Sequence, residues 1–108
     1  MDYIYLDHAS TTKLDSRVLE KMMPYLTEVY GNANSLHSMG RQAVKGLDEA
    51  RELTASLIGA KFSEVYFTSG GTEVDNLALR GLYNGGNRNK LVISSIEHSA
   101  ILKTATEL

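Results

Sequence analysis

The stretch between residues 64 and 93 restricts the fold of this chain more than any other part of the sequence. It contains a run rich in β-branched and aromatic residues, 64–68, then the turn Ser69-Gly70-Gly71-Thr72, then apolar residues at helical spacing and a second apolar run, 91–93. Strand, turn, helix and strand in this order form a βαβ unit, whose two strands are parallel and whose crossover is right-handed. The sequence therefore predicts an α/β fold built on a parallel sheet.

Helical patterns precede and follow this unit. Apolar residues recur at helical spacing after Asp15, a residue type that suits an N-cap, and Pro24 inside this pattern predicts a kink or a break. A longer helix is predicted over about 38–58, with Gly59 as its C-terminal stop. Another helix is predicted to begin at Ser99.

Shorter signals complete the predicted order of elements. Segment 3–6 favours a strand, the segment 31–35 consists of turn-forming residues, and Asn84-Gly85-Gly86-Asn87 closes the helix that follows the glycine turn. Parallel sheets rarely stop at two strands. We therefore expect the α/β pattern to be incomplete in this chain, with a further strand beyond Leu108.

The composition excludes several classes of protein. Apolar residues make up 43% of the 108, which with 9 glycines is normal for a globular protein, and no apolar run approaches the roughly 20 residues of a membrane span. The 11 basic and 13 acidic side chains give a net charge of -2 without a basic patch, so nucleic-acid binding is not expected. The N-terminus lacks the pattern of a secretory signal, which favours a cytoplasmic location without membrane association.

Cysteine is absent from the sequence. This excludes disulfides, thiolate metal sites and a cysteine nucleophile within these 108 residues. The three histidines are not paired at the spacing of metal ligands, so no metal site is expected.

The turn 69–72 is the first candidate for chemistry. It places two glycines and a threonine before a helix N-terminus, where free backbone N–H groups and the helix dipole favour an anion. The turn matches neither the P-loop nor the dinucleotide-binding fingerprint. Thr72 can either cap the helix with its hydroxyl or offer that hydroxyl to a phosphate oxygen, and the residues alone leave both roles open.

His98 is the second candidate. It follows the second predicted strand, at the sheet edge where ligands of open α/β sheets bind. Its ring could stack on a planar cofactor or move a proton, and it could equally be a polar loop residue with no role in chemistry.

Four motifs occur in order along the chain. They are Tyr5-Leu6-Asp7-His8-Ala9-Ser10-Thr11-Thr12, Gly31-Asn32-Ala33-Asn34-Ser35-Leu36-His37, Thr68-Ser69-Gly70-Gly71-Thr72-Glu73-Val74-Asp75-Asn76 and Glu97-His98-Ser99-Ala100. In this order and spacing they resemble the N-terminal part of the NifS/IscS-type cysteine desulfurases, a branch of the class V aminotransferase family of pyridoxal-phosphate enzymes. The resemblance covers essentially the whole chain.

The resemblance implies the N-terminal part of a fold-type I pyridoxal-phosphate-dependent transferase, usually a homodimer. Residues 1–14 are then expected to belong to the small domain or the rim of the active site, and residues 15–108 to begin the large cofactor-binding domain. Enzymes of this family remove sulfur from L-cysteine, leaving alanine and a persulfide on an enzyme cysteine. They pass the sulfur to iron–sulfur cluster scaffold proteins or to partners that thiolate tRNA.

The resemblance also implies roles for individual residues. Gly71 and Thr72 are expected to hold the phosphate of pyridoxal 5'-phosphate. His98 is expected to stack on the pyridine ring and to act as a catalytic residue in proton transfer. The residues expected to border the substrate region are His8, Ala9, Asn32, Asn34 and His37.

The chain departs from the family pattern in three respects. Ala33 and Asn34 stand where relatives usually have proline and serine, which predicts a less rigid loop. The lysine that binds the cofactor aldehyde lies far downstream in the family, and no lysine of this chain has its sequence context. Since no cysteine is present to carry sulfur, the chain alone is expected to be inactive.

Two other functions are compatible with the sequence. One is a different class V enzyme, such as an aminotransferase or a selenocysteine lyase. A cysteine in a flexible C-terminal loop would indicate a desulfurase instead. The other is a non-catalytic remnant that binds a phosphate ligand or a partner protein, which would be a folded monomer on its own.

Overall fold

The structure, a computed structural model, describes residues 3–86 and 90–108. Its α-helices are α1 (Ser16–Thr27), α2 (Ser38–Ile58), α3 (Gly71–Gly85) and α4 (Ser99–Glu107), and a short 3-10 helix spans Phe62–Glu64. The chain divides into two compact units, Met1–Val65 and Tyr66–Leu108. The first unit contains α1, α2 and the 3-10 helix, and the second contains α3 and α4. The domain boundary expected after residue 14 stays a prediction.

Helix α1 begins where the sequence predicts. The Asp15 carboxylate accepts the backbone N–H of Arg17 at 2.8 Å, which satisfies one of the free donors of the first turn. The Arg17 guanidinium also donates to this carboxylate, and the two bonds, the side-chain one first, lower the pKa of Asp15 below its usual value. The predicted N-cap is confirmed.

Helix α1 continues through Pro24 and ends at Thr27, so the chain does not break at the proline. Proline removes one N–H from the helix, but its own carbonyl still accepts the N–H groups of Glu28 at 2.9 Å and Val29 at 2.8 Å. The Thr27 hydroxyl donates to the Met23 carbonyl at 2.8 Å. These bonds complete one further turn before the loop.

Helix α2 confirms the prediction over 38–58. Its C-cap, Gly59, has φ 67° in the left-handed region, and Ala60 donates its N–H to the Ala55 carbonyl at 2.9 Å. This arrangement satisfies carbonyls that the end of the helix would leave unpaired. The Tyr25 ring of α1 lies against Gly46 of α2, where a Cβ atom would come within 2.3 Å of it.

The 3-10 helix replaces the start of the predicted strand 64–68. Glu64 donates its N–H to the Lys61 carbonyl at 2.9 Å, and its carboxylate accepts the Lys61 N–H at 2.8 Å. The Phe62 ring lies 4.9 Å beneath the Arg51 guanidinium of α2. These local bonds hold Glu64 in the 3-10 helix and not in a strand.

The predicted parallel sheet is not present among the described residues. Val65 has extended backbone, with φ -104° and ψ 121°, but none of the segments 3–6, 64–68 and 91–93 is paired as a strand. A strand requires a neighbour that accepts and donates its backbone hydrogen bonds, and β-propensity supplies the conformation without supplying that neighbour. Of the residues predicted to close α3, Asn87 lies outside the described part of the chain.

Few apolar side chains are buried in either unit. The buried apolar residues are Ala55 and Val65 in the first unit and Ala100 in the second. Many large apolar side chains are exposed, among them Leu6, Leu36, Val92 and Ile96. No helix in the described residues is both long enough and apolar enough to cross a membrane.

We predict that Gly59→Ala lowers the free energy of unfolding by about 1–2 kcal/mol, because a Cβ atom disfavours the left-handed conformation. No atom lies within 4 Å of the added Cβ, so the loss would be conformational and not steric. Gly81→Ala is the matched control, since it is inside α3 with equally open surroundings and should raise stability by roughly 0.5–1 kcal/mol. Urea unfolding of both variants measures the difference, and equal effects would contradict the assigned role of Gly59.

Candidate functional site

The turn before α3 leaves backbone donors free at the start of the helix. The first hydrogen bond of α3 runs from the Val74 N–H to the Gly70 carbonyl at 3.2 Å. The N–H groups of the preceding helical residues, Gly71, Thr72 and Glu73, therefore have no acceptor within the helix. No atom lies within 4 Å of the Cβ positions of Gly70 and Gly71, so the space around the turn is open.

The Glu73 side chain holds this turn in place. Its carboxylate accepts the backbone N–H of Ser69 at 2.7 Å and the Ser69 hydroxyl at 2.6 Å. The hydroxyl bond, and after it the backbone bond, lower the pKa of Glu73. The Glu73 carboxylate thus points at Ser69, the residue before the two glycines.

Thr72 does not cap α3. The N-cap is Gly70, and the hydroxyl of Thr72 has no hydrogen-bond partner among the described residues. Of the two roles that the sequence leaves open for this hydroxyl, the structure therefore excludes capping. The hydroxyl remains available on an exposed residue beside three free backbone donors.

His98 is the N-cap of α4. Its Nδ1 accepts the backbone N–H of Ala100 at 3.2 Å, and the residue is exposed. Because Nδ1 acts as an acceptor, the neutral ring carries its proton on Nε2. The cap bond thus sets both the orientation of the ring and the nitrogen that can donate a proton. The structure thus gives His98 a capping role, and its role in chemistry stays a prediction.

The first turns of α3 and α4 border the same cleft. Its volume is about 250 Å³, and Thr72 lines it from α3 while Ser99 and Ala100 line it from α4. Ser99 directly follows His98. The structure therefore brings together, within one compact unit, the glycine turn and the segment that carries the histidine.

A polar cluster joins α3 to α4 at this cleft. The Asn76 carboxamide donates to the Thr72 carbonyl at 2.9 Å and accepts from the Thr104 hydroxyl at 2.9 Å and from Arg80 Nε at 3.2 Å. Arg80 also forms an ion pair with Glu107 at the end of α4. Asn76 belongs to one of the four motifs, but the sequence indicates no role for Arg80, Thr104 or Glu107. Nothing in the sequence predicts that Thr104 lies beside Asn76.

The five residues expected at the substrate region lie in the other unit. His8 and Ala9 belong to a turn in which Ser10 donates its N–H to the Asp7 carbonyl at 3.1 Å, and the rings of Tyr5 and His8 meet edge to face with centroids 5.1 Å apart. In the part of the chain that the structure describes, the contacts that position His8 are local in sequence.

The loop before α2 holds the other three, Asn32, Asn34 and His37. The Asn32 side chain accepts the N–H of Asn34 at 2.9 Å, and His37 caps α2 by accepting the Gly40 N–H on Nδ1 at 3.4 Å. A Cβ atom on Gly40 would lie 2.1 Å from the Ser35 carbonyl oxygen, so this loop packs directly on the first turn of α2. Their proximity to the substrate stays a prediction.

Comparisons with known proteins agree with the motifs. The profile of the aminotransferase class-V family matches residues 4–108. A protein of Trichormus azollae named "Cysteine desulfurase" is 45% identical over 100% of this chain and 27% of its own length. A "Cysteine desulfurase IscS" of Neisseria meningitidis serogroup C is 46% identical over 97% of this chain and 27% of its own length.

A solved structure also resembles the chain. It is described as a "NIFS-LIKE PROTEIN" and superposes with a TM-score of 0.81 at 40% identity, over 91% of this chain and 27% of that one. The chain therefore spans less than a third of the length of the relatives it matches. Since the family profile covers nearly all of its residues, the chain belongs to the aminotransferase class-V family.

Proposed function

We propose that these 108 residues are the N-terminal portion of a pyridoxal-phosphate-dependent cysteine desulfurase. The observation that carries the proposal is the similarity of the whole chain to proteins named cysteine desulfurase, at 45–47% identity in the first relatives. The complete enzyme would convert L-cysteine to alanine and place the sulfur on one of its own cysteines as a persulfide. A scaffold protein for iron–sulfur clusters, or a partner in tRNA thiolation, would receive this sulfur.

The exposed apolar residues support assignment to a larger protein. Leucine, isoleucine and valine are among the residue types most often buried in folded proteins. In this chain Leu6, Leu36, Val92 and Ile96 are each at least 84% exposed. We propose that the rest of a fold-type I domain covers such residues and that it supplies the neighbours that segments 64–68 and 91–93 need to form parallel strands. A homodimer in the cytoplasm is part of the same proposal.

The start of α3 fits the phosphate of the cofactor. Free N–H groups at Gly71 and Thr72, the positive end of the helix dipole and the unpartnered Thr72 hydroxyl are the groups that bind phosphate at helix N-termini. The open space at Gly70 and Gly71 allows an anion to approach the backbone closely. Gly71 and Thr72 would hold the phosphate by these contacts.

His98 fits the ring of the cofactor. Its exposed face could stack on the pyridine ring while the Ala100 N–H keeps the imidazole in a fixed orientation. The proton on Nε2 could then be passed to the substrate. When bound, pyridoxal phosphate supplies an electrophilic aldehyde and a ring that withdraws electrons from the substrate. The lysine that binds the aldehyde and the cysteine that carries sulfur are expected in the part of the enzyme that this chain does not cover.

The activity is tested with the complete gene product and L-cysteine. We expect alanine and sulfide in equal amounts in the presence of a thiol reductant. Transfer of an amino group to a keto acid, without sulfide, would instead identify another class V enzyme. An intact mass equal to that of the 108 residues, with no companion polypeptide in the source cells, would contradict the proposal.

Thr72→Ala should weaken the binding of pyridoxal phosphate by about 1–2 kcal/mol, roughly 5- to 30-fold, because it removes one hydrogen bond to a charged group. Thr72→Ser, which retains the hydroxyl, is the control. The thermal unfolding midpoint of the apoprotein should not change, since the hydroxyl has no partner in the structure. Equal dissociation constants for Thr72→Ala and the parent would remove the proposed phosphate contact.

Replacement of His98 by two different residues separates its capping role from its chemical role. Asparagine is a good N-cap, so His98→Asn should preserve stability but lower turnover by about 10²-fold or more and change the visible spectrum of the bound cofactor. His98→Ala should lose the same activity and also about 1 kcal/mol of stability. Normal turnover and an unchanged spectrum in His98→Asn would show that the ring neither stacks nor transfers a proton.

A further inference from the structure

Asn76 occupies the centre of the contact between α3 and α4, one helical turn after Thr72. Its Nδ2 donates to the Thr72 carbonyl at 2.9 Å, and its Oδ1 accepts from Thr104 at 2.9 Å and from Arg80 at 3.2 Å. A carbonyl can only accept and a guanidinium can only donate. The orientation of the Asn76 amide is therefore determined by its partners, because the reversed amide would face donor to donor and acceptor to acceptor.

Thr104 extends this contact into α4. It is 3% exposed, and its hydroxyl also bonds to the Ala100 carbonyl at 2.8 Å, so its single proton is shared between the two acceptors. Ala100 in turn donates its N–H to His98 Nδ1 at 3.2 Å. A continuous series of contacts thus connects the backbone of Thr72 with the ring of His98 through Asn76, Thr104 and Ala100.

The ion pair between Arg80 and Glu107 supports the same contact from the far end of α4. Arg80 donates to both Asn76 and Glu107, so it holds the acceptor side of the carboxamide towards α4. Arg80 and Asn76 lie four residues apart on the same face of α3. This arrangement restricts sliding of the two helices along each other.

We propose that Asn76, acting through Thr104, is a positioning residue that fixes the distance between the phosphate-binding turn at Thr72 and the ring of His98. The inference rests on the proposed function, since it requires the two helix starts to contact the phosphate and the ring of one cofactor. A ligand that joins both groups gains affinity from a fixed spacing, whereas ligands that contain only one of the groups do not. Neither Asn76 nor Thr104 needs to touch the cofactor.

The test compares three probes in the complete apoprotein: pyridoxal phosphate, pyridoxal and inorganic phosphate. Thr104→Val removes the hydroxyl that joins the helices and keeps the side-chain volume. We expect it to raise the dissociation constant of pyridoxal phosphate about 3- to 10-fold while the constants for pyridoxal and for phosphate stay within about twofold of the parent. Thr104→Ser should behave as the parent, because it retains the hydroxyl.

Thr106→Val is the matched control in the same helix. Among the described residues, the Thr106 hydroxyl bonds only to the Leu102 carbonyl, at 2.8 Å, and Thr106 is exposed. This control should leave all three dissociation constants unchanged.

Asn76→Ala is a second variant, which removes the donor to Thr72 and the acceptor for Thr104 and Arg80 without adding a charge near the phosphate-binding turn. Asn76 is half-buried and alanine favours helices, so the variant tests the inference if Thr104→Val does not fold. It should weaken the binding of pyridoxal phosphate selectively, and Asn84→Ala on an exposed part of α3 is its control.

The outcomes distinguish the inference from the function on which it rests. Unchanged binding of pyridoxal phosphate in folded Thr104→Val and Asn76→Ala, or equal weakening of all three probes, would overturn the positioning role alone. A parent protein that fails to bind pyridoxal phosphate would overturn the proposed function, and the inference with it.

Discussion

The hydrogen bond between the Thr104 hydroxyl and the Asn76 carboxamide is the interaction on which the second unit of this structure depends. It joins residues 28 positions apart in the sequence, and it lies where α3 and α4 pack together. Around it are the buried Ala100, the ion pair between Arg80 of α3 and Glu107 of α4, and the cleft of about 250 Å³ that the two helices border. A polar contact, and not a large apolar core, therefore fixes how the two helix starts meet.

At both helix starts some groups have a structural role, and other groups stay available to bind a ligand. At α3, Glu73 satisfies Ser69 and leaves the Thr72 hydroxyl and the first N–H groups without an acceptor. At α4, His98 uses Nδ1 to cap the helix and presents the rest of its ring to the surroundings. Helix ends that were fully capped by their own side chains would have little capacity left for an anion or a planar ligand.

The sequence predicted the helices because their signals are local. Asp15 and Gly59 form their capping contacts with residues about one helical turn away or less, and both have the predicted capping roles. The predicted strands are not formed among the described residues because pairing depends on a neighbour, and no described segment pairs with 64–68 or 91–93. Of the site, Thr72 and His98 could be found from motifs, whereas the role of Asn76 needs a contact that only the three-dimensional arrangement reveals.

In the proposed function, the first turn of α3 holds the phosphate of a pyridoxal-phosphate cofactor. Amide chemical shifts of the complete apoprotein, recorded by NMR during titration with pyridoxal phosphate, test it most directly. We expect large, saturable shifts at the backbone amides of Gly71 and Thr72, with smaller shifts at the same amides when pyridoxal replaces pyridoxal phosphate. Saturable binding that leaves the amides of Gly71 and Thr72 unshifted would contradict it.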